Sequence, residues 1–279
     1  MRRLLTGILA GALLFFSGQA AAQPFGIAYW DVDRLCDTVA SPFYNDTDYT
    51  PAGRLQWNSA RYRHQIDRTA AVLDSLALPV VALFGVENET VARDIARRCE
   101  QDYAYLHRTL NRLDGLDFVL FYHGDRFFPH YVEPGNSYLY VEGTCALPSG
   151  VARDTLGLLL SRDERMARML PPLLRRERPS ARLVLMGRFD PRAAARQGLH
   201  ELTARAEKAG RGNRFRQRRW EMRDRIAADT ALRHETCDVY IRRWLLDPQT
   251  GTPLPAYTAN AYRGGYSSRL PIFAYIFFP

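Results

Sequence analysis

What most constrains this chain is an end-to-end alternation of short apolar runs of strand length with segments of helical periodicity. Phe25 to Trp30 reads as a first strand, and a turn-rich loop, Ser41 to Pro51, follows it. Arg61 to Ala77 places Ile66, Ala70, Leu73 and Leu76 or Ala77 at the spacing of one helix face, and Pro79 stops it. Val80 to Phe84 has the unbroken apolar run of a buried strand, and Glu89 to Glu100 is a second amphipathic helix. Further strands are predicted at Tyr103 to His107, Asp117 to Tyr122, Tyr138 to Glu142, Leu156 to Leu160, Leu183 to Met186 and Ile272 to Phe277, with a helix over Asp163 to Arg176. No repeat or long linker divides the chain, and the strands are too hairpin-like for a purely parallel sheet, which specifies one α/β domain. A content of 47% hydrophobic and 24% charged residues over 279 positions excludes intrinsic disorder, collagen and a multi-span membrane protein.

The first residues carry the pattern of an export signal. Arg2 and Arg3 precede an apolar stretch, Leu4 to Phe16, and Ala20-Ala21-Ala22 offers a small-residue cleavage site before Gln23. The stretch falls short of the roughly 20 residues that span a bilayer. The expectation is a signal peptide over 1–22, a mature domain over 23–279 with no transmembrane segment, and a periplasmic or extracellular location. No cysteine follows the cleavage site to carry a lipid. In an oxidising compartment Cys36, Cys99, Cys145 and Cys237 are disulfide candidates, with buried free thiols as the competing reading. The net charge of +8 is almost wholly arginine, Lys208 being the one lysine. In the highly charged stretch Glu201 to Arg225, the cluster Arg211, Arg214, Arg216, Arg218 and Arg219 reads as a solvated, partly mobile loop in preference to a phosphate contact.

Six motifs in order then resemble the endonuclease/exonuclease/phosphatase superfamily. Tyr29-Trp30-Asp31-Val32-Asp33-Arg34-Leu35-Cys36-Asp37 is similar to its opening YNVENLFD, and Tyr49-Thr50-Pro51-Ala52-Gly53 with Trp57 to its FTPEG and W. Leu83-Phe84-Gly85-Val86-Glu87-Asn88 lies where the family has LxEVEN, and His107 with Asp114-Gly115-Leu116-Asp117 resembles H...RGID. Gly187-Arg188-Phe189-Asp190-Pro191 matches GDFND, and Gly264-Gly265-Tyr266-Ser267-Ser268-Arg269-Leu270-Pro271 matches GGYSDHLP. The resemblance implies a DNase-I-like fold of the α/β (α+β) class, a four-layer αββα sandwich with mixed, mostly antiparallel sheets. It also implies a site at one end of the sandwich where a glutamate and an asparagine hold Mg2+, the Asp and Asn of GDFND activate water, and a histidine backed by an aspartate stabilises the transition state.

Position by position, this chain departs from that pattern. The metal-binding glutamate falls at Gly85, the catalytic Asp of GDFND at Arg188 and its Asn at Asp190, and the Asp and His of SDH at Ser268 and Arg269. After Leu158-Leu159-Leu160-Ser161-Arg162 the chain enters a helix, leaving no counterpart for the histidine of NHWPS. Asp31, Glu87, Asn88, His107, Asp117 and Asp224 survive as polar candidates. Three carboxylates lost, two arginines gained and two asparagines turned to aspartate swing the site by about +3.

The resemblance therefore implies a catalytically degenerate domain with no cofactor, in which Arg188 and Arg269 either pair with the remaining carboxylates or hold an anion. The alternative is an active Mg2+-dependent phosphodiesterase or nuclease whose metal has moved to Asp31, Glu87, Asp190 and Asp224. No partner is identified; a phosphate-containing ligand and a protein partner both fit the charge.

Overall fold

A computed structural model describes residues 24–146 and 153–278, so the expected signal peptide lies outside the described residues. The chain begins with β1 (Phe25–Leu35), α1 (Ser59–Leu76), β2 (Val80–Val86), α2 (Glu89–Arg98), β3 (Tyr103–Arg108) and β4 (Asp117–His123). A hairpin of β5 (Phe127–Pro134) and β6 (Tyr138–Ala146) leads to β7 (Arg153–Ser161), α3 (Glu164–Glu177), β8 (Arg182–Gly187) and the short α4 (Pro191–Arg196). β9 (Leu199–Glu201), α5 (Ala204–Lys208), the hairpin β10 (Arg214–Arg216) and β11 (Arg219–Glu221), β12 (Arg225–Asp229) and β13 (Arg233–Val239) follow. A two-residue pair, β14 (Tyr257–Thr258) and β15 (Ala261–Tyr262), precedes the last strand, β16 (Ile272–Phe277).

Two six-stranded sheets result. One has the order β13, β16, β1, β2, β4, β3 and the other β5, β6, β7, β8, β12, β9. Each contains one parallel pair, β1 with β2 and β7 with β8, joined through α1 and α3; the other pairings within both sheets are antiparallel. Side chains alternate across a strand, and the second sheet sorts them accordingly. Leu156, Leu158, Leu160, Val184, Met186, Ile226 and Ala228 face the other sheet in the main core. Their neighbours Leu159, Leu183, Leu185 and Ala227 face outward under α3 and α4. Helices α1 and α2 cover the first sheet, contributing Ile66, Leu73, Val91 and Ile95 to the main core. The expected αββα sandwich is the observed architecture.

Local chemistry sets the helix starts. Asn58 accepts from the Ala60 and Arg61 amides and Asn88 from Val91, while Asp163 accepts from Arg165 and Met166. Asn88, retained in the LxEVEN-like motif, is thus the N-cap of α2.

One expectation needs correction, and one open choice is decided. The charged stretch Glu201 to Arg225 is not a loop. It holds α5, the β10–β11 hairpin and the start of β12, and Arg211 pairs with Asp238 at 2.7 Å. Gln217 and Arg218 both take positive φ, 48° and 62°, as a tight two-residue hairpin turn requires. Nor are the cysteines paired. Cys36 directly follows β1, Cys99 caps α2, and Cys145 and Cys237 lie on strands of different sheets; all four are free. Burial pushes each thiol well above its ordinary pKa, which leaves them protonated and unreactive. Thiol titration in denaturant without reductant should therefore count four reactive groups; two or none would show disulfides.

Candidate functional site

The parallel pairs put the carboxyl ends of β1, β2, β7 and β8 along one rim, the usual place for a site in sheets wound this way. Asp31, buried on β1, stands there. Two guanidinium groups converge on one of its oxygens: Arg162, one residue beyond β7, and Arg269, just before β16, each donate Nη1 to Asp31 Oδ2. Asp31 Oδ1 accepts from the Asp33 amide at 2.9 Å. This carboxylate is fully engaged.

Arg269 is fixed at both ends. Its amide donates to Ser267 Oγ at 3.1 Å and its carbonyl accepts from Trp30 Nε1 at 2.9 Å. Its Nη1 also reaches Asp224 Oδ1 at 3.5 Å. Asp224 is wholly buried and accepts from Asn213 Nδ2 at 2.8 Å, while Asn213 Oδ1 accepts from the amides of Arg223 and Asp224. Burial pushes the Asp224 carboxyl up, against the Asn213 hydrogen bond and the guanidinium groups of Arg162, Arg188 and Arg223, which pull it down. Arg162 spreads over the Phe84 ring at 4.1 Å. The Tyr29 hydroxyl, buried among these charges, has no hydrogen-bond partner, and burial raises its pKa.

Arg188, one residue past β8, differs from the other two. Its amide donates to the Ser161 carbonyl at 2.8 Å, yet among the described residues its side chain makes no salt bridge, and its buried Nε has no partner. Burial, with Arg162 and Arg223 beside it, pulls its pKa down to about 10. Asp190, two residues on, caps α4 by accepting from the Arg192 amide at 3.0 Å, and it is exposed. Ser268 gives its amide and its hydroxyl to the Asp33 carboxylate, at 2.6 Å each.

Gly85 is constrained by the backbone. The ladder between β1 and β2 shifts register between Asp31–Phe84 and Leu35–Val86, and Gly85 takes φ +101° to absorb the shift. A Cβ there would lie 2.6 Å from the Asp33 carbonyl oxygen. The bulge also separates Glu87 from Asp31: β2 has ended, and Glu87 Oε2 accepts from the Asp37 amide at 2.8 Å. Burial, with Asp46 beside it, pushes the Glu87 carboxyl up to about 8. His107 and Asp117 bond each other at 2.9 Å, and Asp117 also holds the Leu110 amide at 2.8 Å.

Thus the structure gathers Asp31, Asp224, Arg269 and Arg188 at one place and leaves Glu87, Asp190 and the His107–Asp117 pair with other partners. Among the described residues no three His, Cys, Asp or Glu side chains converge as a metal-holding group. Sequence reasoning missed Arg162, Asn213 and Tyr29. Arg162 had a signal, as the first residue beyond a strand whose end was already located. Chemically the cluster holds four cations against two carboxylates. It can bind negative charge, and its carboxylates accept from guanidinium and amide donors.

Gly85→Ala should destabilise the protein by about 2 kcal/mol or more, from the positive φ and the backbone collision together, read as a lower urea midpoint. A neutral result would show that the bulge adapts. The Glu87 proton makes a second prediction. The native group keeps its proton up to about pH 8, whereas the unfolded chain loses it near 4.5. Its stabilisation is full below pH 4.5 and is lost as pH rises toward 8, with a slope of up to about 1.4 kcal/mol per pH unit. Urea unfolding of wild type and Glu87→Gln at pH 5, 6, 7 and 8 should show a steeper loss of stability in wild type, and equal slopes would refute the assignment to Glu87.

A sequence model of the Endonuclease/Exonuclease/phosphatase family matches residues 26–156. No curated protein matches the chain by sequence. Among solved structures, the fold is similar to an endonuclease/exonuclease/phosphatase from Bacteroides vulgatus, at 14% identity and TM-score 0.58, covering 92% of this chain and 100% of that one. It is similar also to the mannosyl-6-phosphatase of Bacteroides thetaiotaomicron, at 13% identity and TM-score 0.57 over 91% of this chain and 100% of that one. A third similar structure is the human Nocturnin catalytic domain with bound sulfate, at 12% identity and TM-score 0.56 over 92% and 94%. The family match over residues 26–156 and the DNase-I-like fold shared with these structures agree with the resemblance that the ordered motifs carry.

Proposed function

We propose that this protein is an exported, catalytically inactive member of the endonuclease/exonuclease/phosphatase superfamily, in which arginines have taken the place of the metal and of the catalytic side chains. One observation carries the reading: the Asp31 carboxylate is held by both Arg162 and Arg269. The donor set does not fit a hard cation, which needs several free oxygens around one point. Asp31 is engaged by cations, Gly85 offers no side chain and no room for one, and Glu87 and Asp190 bond elsewhere. The His107 imidazole, bonded to Asp117, is no free acid or base for this cluster. Export rests on the signal pattern of residues 1–22.

Arg188 supports a remaining role in binding. A guanidinium set beside Arg162 and Arg223, with no salt bridge among the described residues, is stabilised by any anion that reaches it.

The test is an assay on DNA, RNA and bis-p-nitrophenyl phosphate with Mg2+, Mn2+ or Ca2+, and with EDTA as control. No metal-dependent turnover is expected. Turnover lost in Asp224→Ala or Asp190→Ala would overturn the proposal in favour of a relocated-metal hydrolase. Inorganic phosphate should bind in a salt-sensitive manner and weaken in Arg188→Ala; binding unchanged by that substitution would remove the anion role.

A further inference from the structure

The apolar side chains left outside the core are not scattered. Val39, Phe43 and Leu113 are 72%, 89% and 97% exposed, and all three line one cavity of about 640 Å3. That volume falls within the range of small-molecule sites. Isolated exposed apolar residues need no explanation, but three at the mouth of one cavity do.

The loops that carry them are held in place by hydrogen bonds beneath. The Val39 amide donates to Asp37 Oδ1 at 2.7 Å, the Ser41 amide to both Asp46 oxygens, and the Phe43 amide to Ser41 Oγ at 3.1 Å. On the other side Arg112 forms a two-pronged pair with Asp114, and Arg34 donates to the Asp114 carbonyl at 2.8 Å. Gly115, at φ +63°, lies so close under the Tyr44 ring that a Cβ there would be 2.2 Å from it, which pins the two loops together. Phe43 and Leu113 therefore stand in water on a fixed frame, and a ligand would not have to order them.

The floor of the cavity decides what fits. Asp37, Glu87 and Asp117 lie there, and the one basic residue in the lining, Arg112, is neutralised by Asp114. In a chain of net charge +8 this is an acidic recess with an apolar mouth. Anions are repelled, and a purely apolar ligand would leave the carboxyl groups desolvated and uncompensated. We propose that the cavity binds a small apolar ammonium ion, its charged head on the Asp37 carboxylate with the Glu87 carboxyl beside it as a hydrogen-bond acceptor, and its aliphatic or aromatic body against Val39, Phe43 and Leu113. A cation seated there would also hold Glu87 in its ionised form, which burial now opposes.

Calorimetric titration of the full chain with 2-phenylethylammonium, and with 2-phenylethanol as the uncharged analogue, tests this site independently of the arginine cluster. The ammonium should bind saturably and the alcohol at least roughly tenfold more weakly. Phe43→Ser and Leu113→Ser should each weaken the ammonium several-fold without changing the melting temperature, since both side chains are exposed. Asp37→Asn should narrow the gap between charged and uncharged ligand, whereas Arg188→Ala should leave ammonium binding unchanged. Equal affinity for the two ligands, or no saturable binding of the ammonium at millimolar concentration, would overturn the proposal. So would binding confined to a basic, apolar peptide such as acetyl-Leu-Arg-Phe-amide, which would point to a polypeptide partner.

Discussion

Asp31 belongs to one sheet, Arg162 follows a strand of the other, and Arg269 leads into the last strand of the first. The three side chains meet at a single carboxylate oxygen, so this bond network clamps the two sheets at the rim where both parallel pairs end. Taking such charges out of water costs several kcal/mol per ion, recovered only when geometry and hydrogen bonds are complete. Here most groups are paired, the buried Arg269 Nε being an exception among the described residues. The Asp33 amide occupies the other Asp31 oxygen, Trp30 and Ser267 hold the Arg269 backbone, and Asn213 supports Asp224. Removing one member would strand the others, a loss on the order of 3–5 kcal/mol, whereas replacing the whole set with apolar residues could be nearly neutral. The network therefore specifies how the sheets meet more than it adds to stability.

Much of the fold was legible because strand periodicity survives burial. Leu156 to Leu160 and Leu183 to Met186 were placed from their apolar runs, and the structure sorts their odd and even positions to opposite faces. The elements that escaped notice are those whose conformation is set by contacts distant in sequence. β5 contains Pro129 and Pro134, which argue against a strand, yet it lies at a sheet edge where proline is tolerated. The β10–β11 hairpin has three-residue strands with no readable period, and it is held partly by Arg214 bridging to Arg269 and by the Leu270 amide on the Asn213 carbonyl.

At the site, the identity of the replaced residues could be read from the motifs, but their partners could not. Arg188 and Arg269 looked equivalent in sequence. One is enclosed between Asp31 and Asp224 and the other makes no salt bridge among the described residues, a difference made by which strand end each follows. Whether Glu87 could serve in place of position 85 depended on the course of the chain after β2. The register shift settles its direction: Glu87 joins Asp37 and Asp46 on the far side of the bulge, in an acidic neighbourhood separate from the arginine cluster.

That bulge also limits what position 85 can hold. A carboxylate at position 85 would need a Cβ where the Asp33 carbonyl now lies, on a residue that has itself taken φ +61°. A side chain at 85 would therefore require the backbone at Asp33 to straighten first, which would loosen the bonds of the Asp33 carboxylate to Ser268. The strand geometry thus couples position 85 to the segment that leads into the last strand, and a substitution there is felt on both sides of β1.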